Sequence, residues 1–119
     1  MRDISKNAQD HGHSEVTFLV IGDTKTPPEA EKLCKDLAND SGVDIEYLDI
    51  QEQEKAIADF PSLSGMIPIN SAVRKMIGNF IAYRRGCDSL VMLDDDNFFN
   101  SGDFIGGHNV VGSQTQLDL

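Results

Sequence analysis

Three consecutive aspartates, Asp94, Asp95 and Asp96, directly follow the apolar segment 89–93 (SLVML). In extended backbone, residues two apart point to the same side, so Asp94 and Asp96 are predicted to present two carboxylates to one point. Such a pair suits Mg²⁺ or Mn²⁺, hard cations that prefer oxygen ligands and complete their shell with water and phosphate oxygens. Asp95 then points away and supports the neighbouring backbone. A solvated acidic turn is the alternative interpretation.

A basic group of residues precedes this acidic run. Arg74 and Lys75 lie in the first turn of a predicted helix over 71–85, where free N–H groups and the helix dipole favour an anion and disfavour cations. Arg74 can bind a phosphate bidentately, or it can be a surface side chain that covers the apolar stripe of the helix. Arg84 and Arg85 fall in the last turn, where the dipole alone explains them.

Together the acidic run and the basic residues before it predict a site for a nucleoside diphosphate. In that site the metal and the arginine neutralise charge on the diphosphate as it leaves. Asp23 follows another apolar run, and it either hydrogen-bonds a ribose hydroxyl or base edge or caps a turn before Thr26. His108 is either a third metal ligand or an exposed loop histidine. The sequence identifies no catalytic base. It contains no P-loop, and Phe98 stands where a calcium loop would place its next ligand.

The elements that must position these residues alternate between helices and strands. The pattern predicts helices over 2–9, 26–38, 49–57 and 71–85, strands over 16–21, 43–50 and 87–93, and loops over 61–70 and 98–119. Asp49 and Glu52 are predicted to form a capping pair at the start of the third helix, and Asn70 or Ser71 to cap the fourth. Such alternation implies right-handed crossovers and a parallel sheet, whose ligands bind beyond the carboxyl ends of the strands. Asp23 and the aspartate triplet both follow strands, so we expect them at one edge of the sheet.

The composition limits the class of protein further. The 119 residues suffice for one small domain, and the net charge of -10 disfavours a nucleic acid polymer or an anionic membrane as partner. Cys34 and Cys87 lack metal-ligand spacing and are expected to be reduced thiols. No apolar run approaches the ~20 residues of a membrane span, and the N-terminus lacks the apolar core of a signal peptide. We therefore expect a cytoplasmic location with no direct membrane insertion.

Two blocks of sequence and the glycines after them carry a resemblance to a known family. The blocks are FLVIGDTKTP (18–27) and NSAVRKMIGNFIAYRRGCDSLVMLDDDN (70–97). They resemble the catalytic domain of GT-A-fold glycosyltransferases, and most closely the STELLO-type glycosyltransferases. In that pattern an IG(D/N)xKTP strand end precedes S-x-x-RK-x-x-G on a helix, a G-(C/A) turn, a strand and an acidic triplet. The likeness covers most of 16–97.

The resemblance implies a fold, an activity and a set of site residues. The fold is a three-layer α/β/α, Rossmann-like parallel sheet of the nucleotide-diphospho-sugar transferase type. The activity is transfer of a sugar from a nucleotide-diphosphate donor to an acceptor that the sequence does not identify. The residues implied are Asp94 and Asp96 for Mn²⁺ or Mg²⁺, and Asp23, Arg74, Lys75 and Asp95 for the donor.

Two parts of the family pattern have no counterpart in this chain: the first strand and the acceptor-binding half. We therefore expect residues 1–119 to be a single partial domain, with an ordered core over 16–97 and a loop-rich tail over 98–119. Such a fragment is expected to be completed by flanking segments or by an oligomer. The alternative is a non-catalytic α/β module that binds a nucleotide or a partner protein and keeps the acidic edge as a vestige.

Overall fold

A computed structural model describes residues 1–94, 96–98 and 102–113 of the chain. Its elements are α1 (Arg2–Asp10), β1 (Thr17–Ile21), α2 (Ala30–Ser41), β2 (Asp44–Leu48), α3 (Ile50–Ala56), α4 (Pro61–Met66), a first 3₁₀ helix (Ala72–Lys75), α5 (Met76–Arg84) and a second 3₁₀ helix (Gly106–His108). The predicted α/β class is confirmed at this level. No helix within the described ranges is both long and apolar enough to cross a membrane.

The sheet consists of β1 and β2, which pair in parallel with Thr17 opposite Asp44 and Ile21 opposite Leu48. Both strands were expected from their apolar runs, and α2 forms the crossover between them. Gly42 ends α2 at a φ of 68°, a left-handed conformation that glycine adopts without steric cost. Because the strands are parallel, their carboxyl ends meet at one edge, which carries Asp23 after β1 and Asp49 after β2.

The third predicted strand does not form. Residues 87–94 lie outside any strand, and their apolar side chains are exposed by 37% to 49% at Leu90, Val91, Met92 and Leu93. A strand needs a hydrogen-bonded neighbour, and within the described part of the chain none pairs with this segment. The apolar run indicated burial but could not supply the partner, so the sheet formed by the described residues has two strands instead of the predicted three.

One additional helix and one helix boundary also differ from the prediction. The expected loop 61–70 contains α4, because Pro61 at the first helical position has a φ already suited to a helix and lacks only an N–H that would stay unpaired there. The second helix begins at Ala30 instead of following Thr26, since the Thr26 hydroxyl accepts a hydrogen bond from the N–H of Asp23 at 2.8 Å. By contrast, the predicted capping box of Asp49 and Glu52 at the start of α3 is confirmed.

The core holds the last helix against the sheet. Ile57 and Ile77 are fully buried, and Ile81 of the same cluster is nearly so. Leu19 of β1 packs against this cluster. Gly78 brings α5 close to the sheet, because a Cβ atom at that position would lie 3.2 Å from Cγ1 of Ile21. This contact fixes the start of the last helix near the carboxyl end of β1.

Candidate functional site

Asp23 joins the end of β1 to the start of the first 3₁₀ helix. Its carboxylate accepts hydrogen bonds from the backbone N–H groups of Asn70 at 2.8 Å and Ser71 at 3.1 Å, and from that of Thr24 at 2.6 Å. Asn70 has a φ of 55°, a left-handed conformation that asparagine tolerates better than most residues. Desolvation alone would raise the pKa of Asp23, but these backbone donors hold it below its ordinary value.

Asp23 therefore places a carboxylate against the two residues that directly precede the first 3₁₀ helix. Ser71 adds to this arrangement, because its hydroxyl accepts the N–H of Val73 at 3.3 Å as the predicted cap. Asp23 accepts a backbone N–H in its own turn before Thr26, and it also accepts those of Asn70 and of Ser71, which lies 48 residues later. No local pattern in the sequence indicates this contact between distant residues.

Arg74 lies inside the protein, with only 2% of its surface exposed. Its Nη2 donates to Oε1 of Glu54 at 2.9 Å, and its Nη1 donates to the carbonyl of Ile67 at 3.4 Å. The Ser64 hydroxyl and the Arg74 guanidinium together hold the pKa of Glu54 below its ordinary value. Both environments predicted for Arg74, a surface position and a diphosphate site, differ from this one. Its partner comes from α3, 20 residues upstream, which helix periodicity could not reveal.

Lys75 points the other way and meets the acidic run. Its Nζ lies 2.7 Å from Oδ1 of Asp94, with 38% and 58% of the two side chains exposed. The basic and acidic segments are therefore in direct contact. An ion pair this exposed contributes at most about 1 kcal/mol to stability, because water and salt screen it.

The backbone at the acidic run forms a turn instead of the expected extended stretch. The N–H of Asn97 donates to the carbonyl of Asp94 at 3.1 Å, and the Asn97 side chain accepts the N–H of Asp94 at 3.3 Å. The same side chain donates to Oδ1 of Asp96 at 3.4 Å. The alternation that would aim Asp94 and Asp96 at one point therefore does not apply. Asp95 lies outside the described residues.

The donor atoms at this turn fit Mg²⁺ or Mn²⁺ by type. Asp94 and Asp96 offer exposed carboxylate oxygens, and Mg²⁺ commonly takes one or two protein carboxylates and fills its other positions with water and phosphate. Among the described residues, no group of three or more histidine, cysteine or acidic side chains is placed to hold a metal. His108 lies in the second 3₁₀ helix with its Nδ1 2.8 Å from the carbonyl of Phe104, and within the described residues it belongs to no such group.

A shallow cleft of about 260 Å³ opens at the carboxyl ends of the two strands. The residues that line it are Gly22, Asp23, Tyr47, Asp49, Ile50 and Gln51. Gly22 leaves room for the Tyr47 ring, since a Cβ atom at position 22 would overlap the Tyr47 hydroxyl where it lies. Burial raises the pKa of Tyr47, and the Asp49 carboxylate raises it further. Sequence reasoning missed Tyr47 and Asp49, although both stand at the end of the second predicted strand.

Gln53 is the buried side chain that holds this edge together. Its Nε2 donates to the carbonyls of Gly22 and Leu48, each at 2.7 Å, so one amide group joins the ends of β1 and β2. The side chain is fully buried, and its Oε1 has no hydrogen-bond partner among the described residues. Nothing in the sequence distinguished this glutamine from the polar residues around it.

No family model matches the sequence, and comparisons with curated proteins and with solved structures find no match. The fold by itself defines an α/β protein built on one parallel βαβ unit, with an acidic cleft at the carboxyl edge of its sheet.

Proposed function

We propose that this chain is a metal-dependent glycosyltransferase, or the donor-binding part of one, with a GT-A-type fold. In this proposal Asp94 and Asp96 bind Mn²⁺ or Mg²⁺, and the metal holds a nucleotide-diphosphate sugar for transfer to an unidentified acceptor. One observation carries the proposal: contacts run from Asp23 to Ser71 and from Lys75 to Asp94. They support it because they bring the end of β1, the first 3₁₀ helix and the acidic turn close together.

The proposed roles follow from charge and exposure. A bound metal would neutralise charge on the diphosphate. Lys75 is the exposed cation beside the carboxylates, so we assign it to the phosphate oxygens. Asp23 and Asp95 are assigned to the donor, with Asp23 lining the cleft at the sheet edge. Arg74 is assigned an indirect role, in which its ion pair with Glu54 holds the start of the helix in place.

Metal binding is the first property to test. Mn²⁺ is paramagnetic, so titration into the ¹⁵N-labelled protein should broaden the amide signals around Asp94 before those of α2, and UDP or GDP should tighten binding. The double variant Asp94→Ala with Asp96→Ala should lose the effect. Asp36→Ala with Asp40→Ala removes two exposed carboxylates from α2 and serves as the matched control. Equal broadening in both double variants would overturn the metal assignment.

A non-catalytic binding module is the second candidate. It is favoured by the partners that the predicted site residues already have: Arg74 is paired with Glu54, Lys75 with Asp94, and Asp23 with backbone N–H groups. Such a module would bind UDP or GDP with an affinity that the aspartate variants leave unchanged. Release of free sugar from UDP- or GDP-sugars, measured with and without Mn²⁺, separates the two. Metal-dependent turnover supports the transferase, and binding without turnover supports the module.

A further inference from the structure

The segment 102–113 is attached to α1 near the other end of the chain. The Asn7 side chain donates from Nδ2 to the carbonyl of Gly102 at 2.8 Å, and its Oδ1 accepts the N–H of Phe104 at 3.0 Å. Asn7 is buried, and both ends of its amide group form hydrogen bonds with the backbone of the same short segment. This arrangement docks the segment on α1 without any charged group.

A histidine and an aspartate form a second attachment beside the first. Nε2 of His13 lies 2.6 Å from Oδ1 of Asp103, a residue 90 positions later, and the two side chains are 20% and 36% exposed. The same Asp103 oxygen accepts the N–H of Gly106 at 2.8 Å, which begins the second 3₁₀ helix. Asp103 therefore stabilises the second 3₁₀ helix of its own segment and also binds that segment to His13.

The titratable side chains beside this pair are mainly histidines. The His11 ring stacks on that of His13 with centroids 6.5 Å apart, and its Nδ1 lies 2.9 Å from the carbonyl of Asn7. Both histidines attract the Asp103 carboxylate. On α1, Lys6 and Asp10 neutralise each other in an exposed pair. Within the docked segment, His108 contacts the Phe104 ring and carbonyl.

The sign of the pH dependence follows from these contacts. The Gly106 N–H, and next the two histidines, hold the pKa of Asp103 below its ordinary value. A group with a lowered pKa contributes stability above its ordinary pKa and loses it as the pH falls through the folded value. On the other side, histidine ordinarily changes charge between about pH 5 and 8, and a charged donor makes a stronger hydrogen bond than a neutral one.

We propose that His13 and Asp103 form a pH-dependent clasp, which holds residues 102–113 on α1 most firmly in mildly acidic solution. A protonated imidazole makes a charged hydrogen bond to the carboxylate, and a neutral imidazole makes a weaker one. The Asn7 contacts do not titrate, so the segment loosens without detaching. The clasp is independent of the proposed metal and donor site.

Amide hydrogen exchange tests the clasp directly. The reporters are the N–H groups of Phe104 and Gly106, which bond to Asn7 and Asp103. After correction for the intrinsic pH dependence of exchange, their protection should fall roughly threefold to tenfold between about pH 5.5 and pH 8. Amides of β1 serve as the internal reference. Flat protection at Phe104 and Gly106 across this range in the unaltered protein would overturn the proposal.

Two variants identify the groups responsible. His13→Gln and Asp103→Asn keep a hydrogen-bonding side chain but remove the charge, so each should make the protection at Phe104 independent of pH. His108→Gln is the control, since it removes a histidine of the docked segment that lies outside the pair, and the pH dependence should remain. A pH dependence that survives in His13→Gln would contradict the assignment. If a variant fails to fold, the titration midpoints of His13 and of the Gly106 amide in the unaltered protein decide, and different midpoints refute the clasp.

Discussion

Nζ of Lys75 lies 2.7 Å from Oδ1 of Asp94, so a lysine at the start of the last helix contacts a carboxylate that we assign to a metal. The ion pair has opposite consequences for two ligands. A divalent cation must compete with the lysine for Asp94, whereas a diphosphate bound to that cation gains the lysine as a partner. We therefore expect the protein to bind the metal and the phosphate together in preference to the metal alone.

Lys75→Ala should separate these two effects. Mn²⁺ alone should bind about twofold to fivefold more tightly, since the competing pair is worth at most about 1 kcal/mol. Mn²⁺ with UDP or GDP should bind more weakly than in the unaltered protein. Isothermal titration with and without nucleotide measures both. Lys35→Ala removes another exposed lysine of an ion pair and should change neither affinity. Equal changes in both titrations would show that Lys75 does not discriminate between the two ligands.

Arg74→Ala should destabilise the fold, because it leaves Glu54 without its buried partner and removes a packed side chain. We expect a loss of about 2–4 kcal/mol in the free energy of unfolding, somewhat below a fully buried pair because Glu54 is partly exposed. Urea denaturation followed by circular dichroism provides the value. Arg84→Ala breaks an exposed pair with Asp59 and should change stability by less than about 1 kcal/mol. An Arg74→Ala protein of unchanged stability that no longer binds nucleotide would instead restore the donor role.

Asp23→Asn should reduce stability in a pH-dependent way. The amide group cannot accept hydrogen bonds at both oxygen positions, so about 1–2 kcal/mol should be lost near neutral pH. Since the folded pKa of Asp23 is lowered, its ionised form contributes stability above the ordinary pKa and loses it as the pH falls. The difference between variant and unaltered protein should therefore shrink with acidification. Urea titrations at several pH values, with Asp36→Asn as control, detect this, and a constant difference would contradict it.

Gln53→Leu should leave the carbonyls of Gly22 and Leu48 without their shared donor. The expected loss is about 2–4 kcal/mol, the cost of two acceptors losing one buried donor. Gln53→Glu offers a second measurement, because a buried carboxylate facing two carbonyls would have a raised pKa. A raised pKa means that the protein is more stable when this group is protonated, so Gln53→Glu should regain stability as the pH falls. Chemical denaturation at neutral and acidic pH tests both variants, and a Gln53→Glu protein that is equally stable at both contradicts this placement of Gln53.

Local chemistry explains which features the sequence predicted. The first two strands were found from their continuous apolar runs, and the start of α3 from the spacing of Asp49 and Glu52, since both signals lie within a few residues. Partners distant in sequence were not predicted. Two examples are Glu54, which pairs with Arg74, and the backbone of Ser71, which bonds to Asp23. Segment 87–93 has the composition of a strand but pairs with no other strand among the described residues, and composition alone does not determine such a pairing.

The Asn7 contacts have a mechanical consequence. They span 95 and 97 residues, so they close most of the chain into a loop that contains both strands. A force applied between α1 and residue 113 is carried first by these few bonds, because the parallel pair of β1 and β2 lies within the loop. We expect stretching in an optical trap to lengthen the protein in two steps: the docked segment first peels from α1 at low force, and the sheet then ruptures at a higher one.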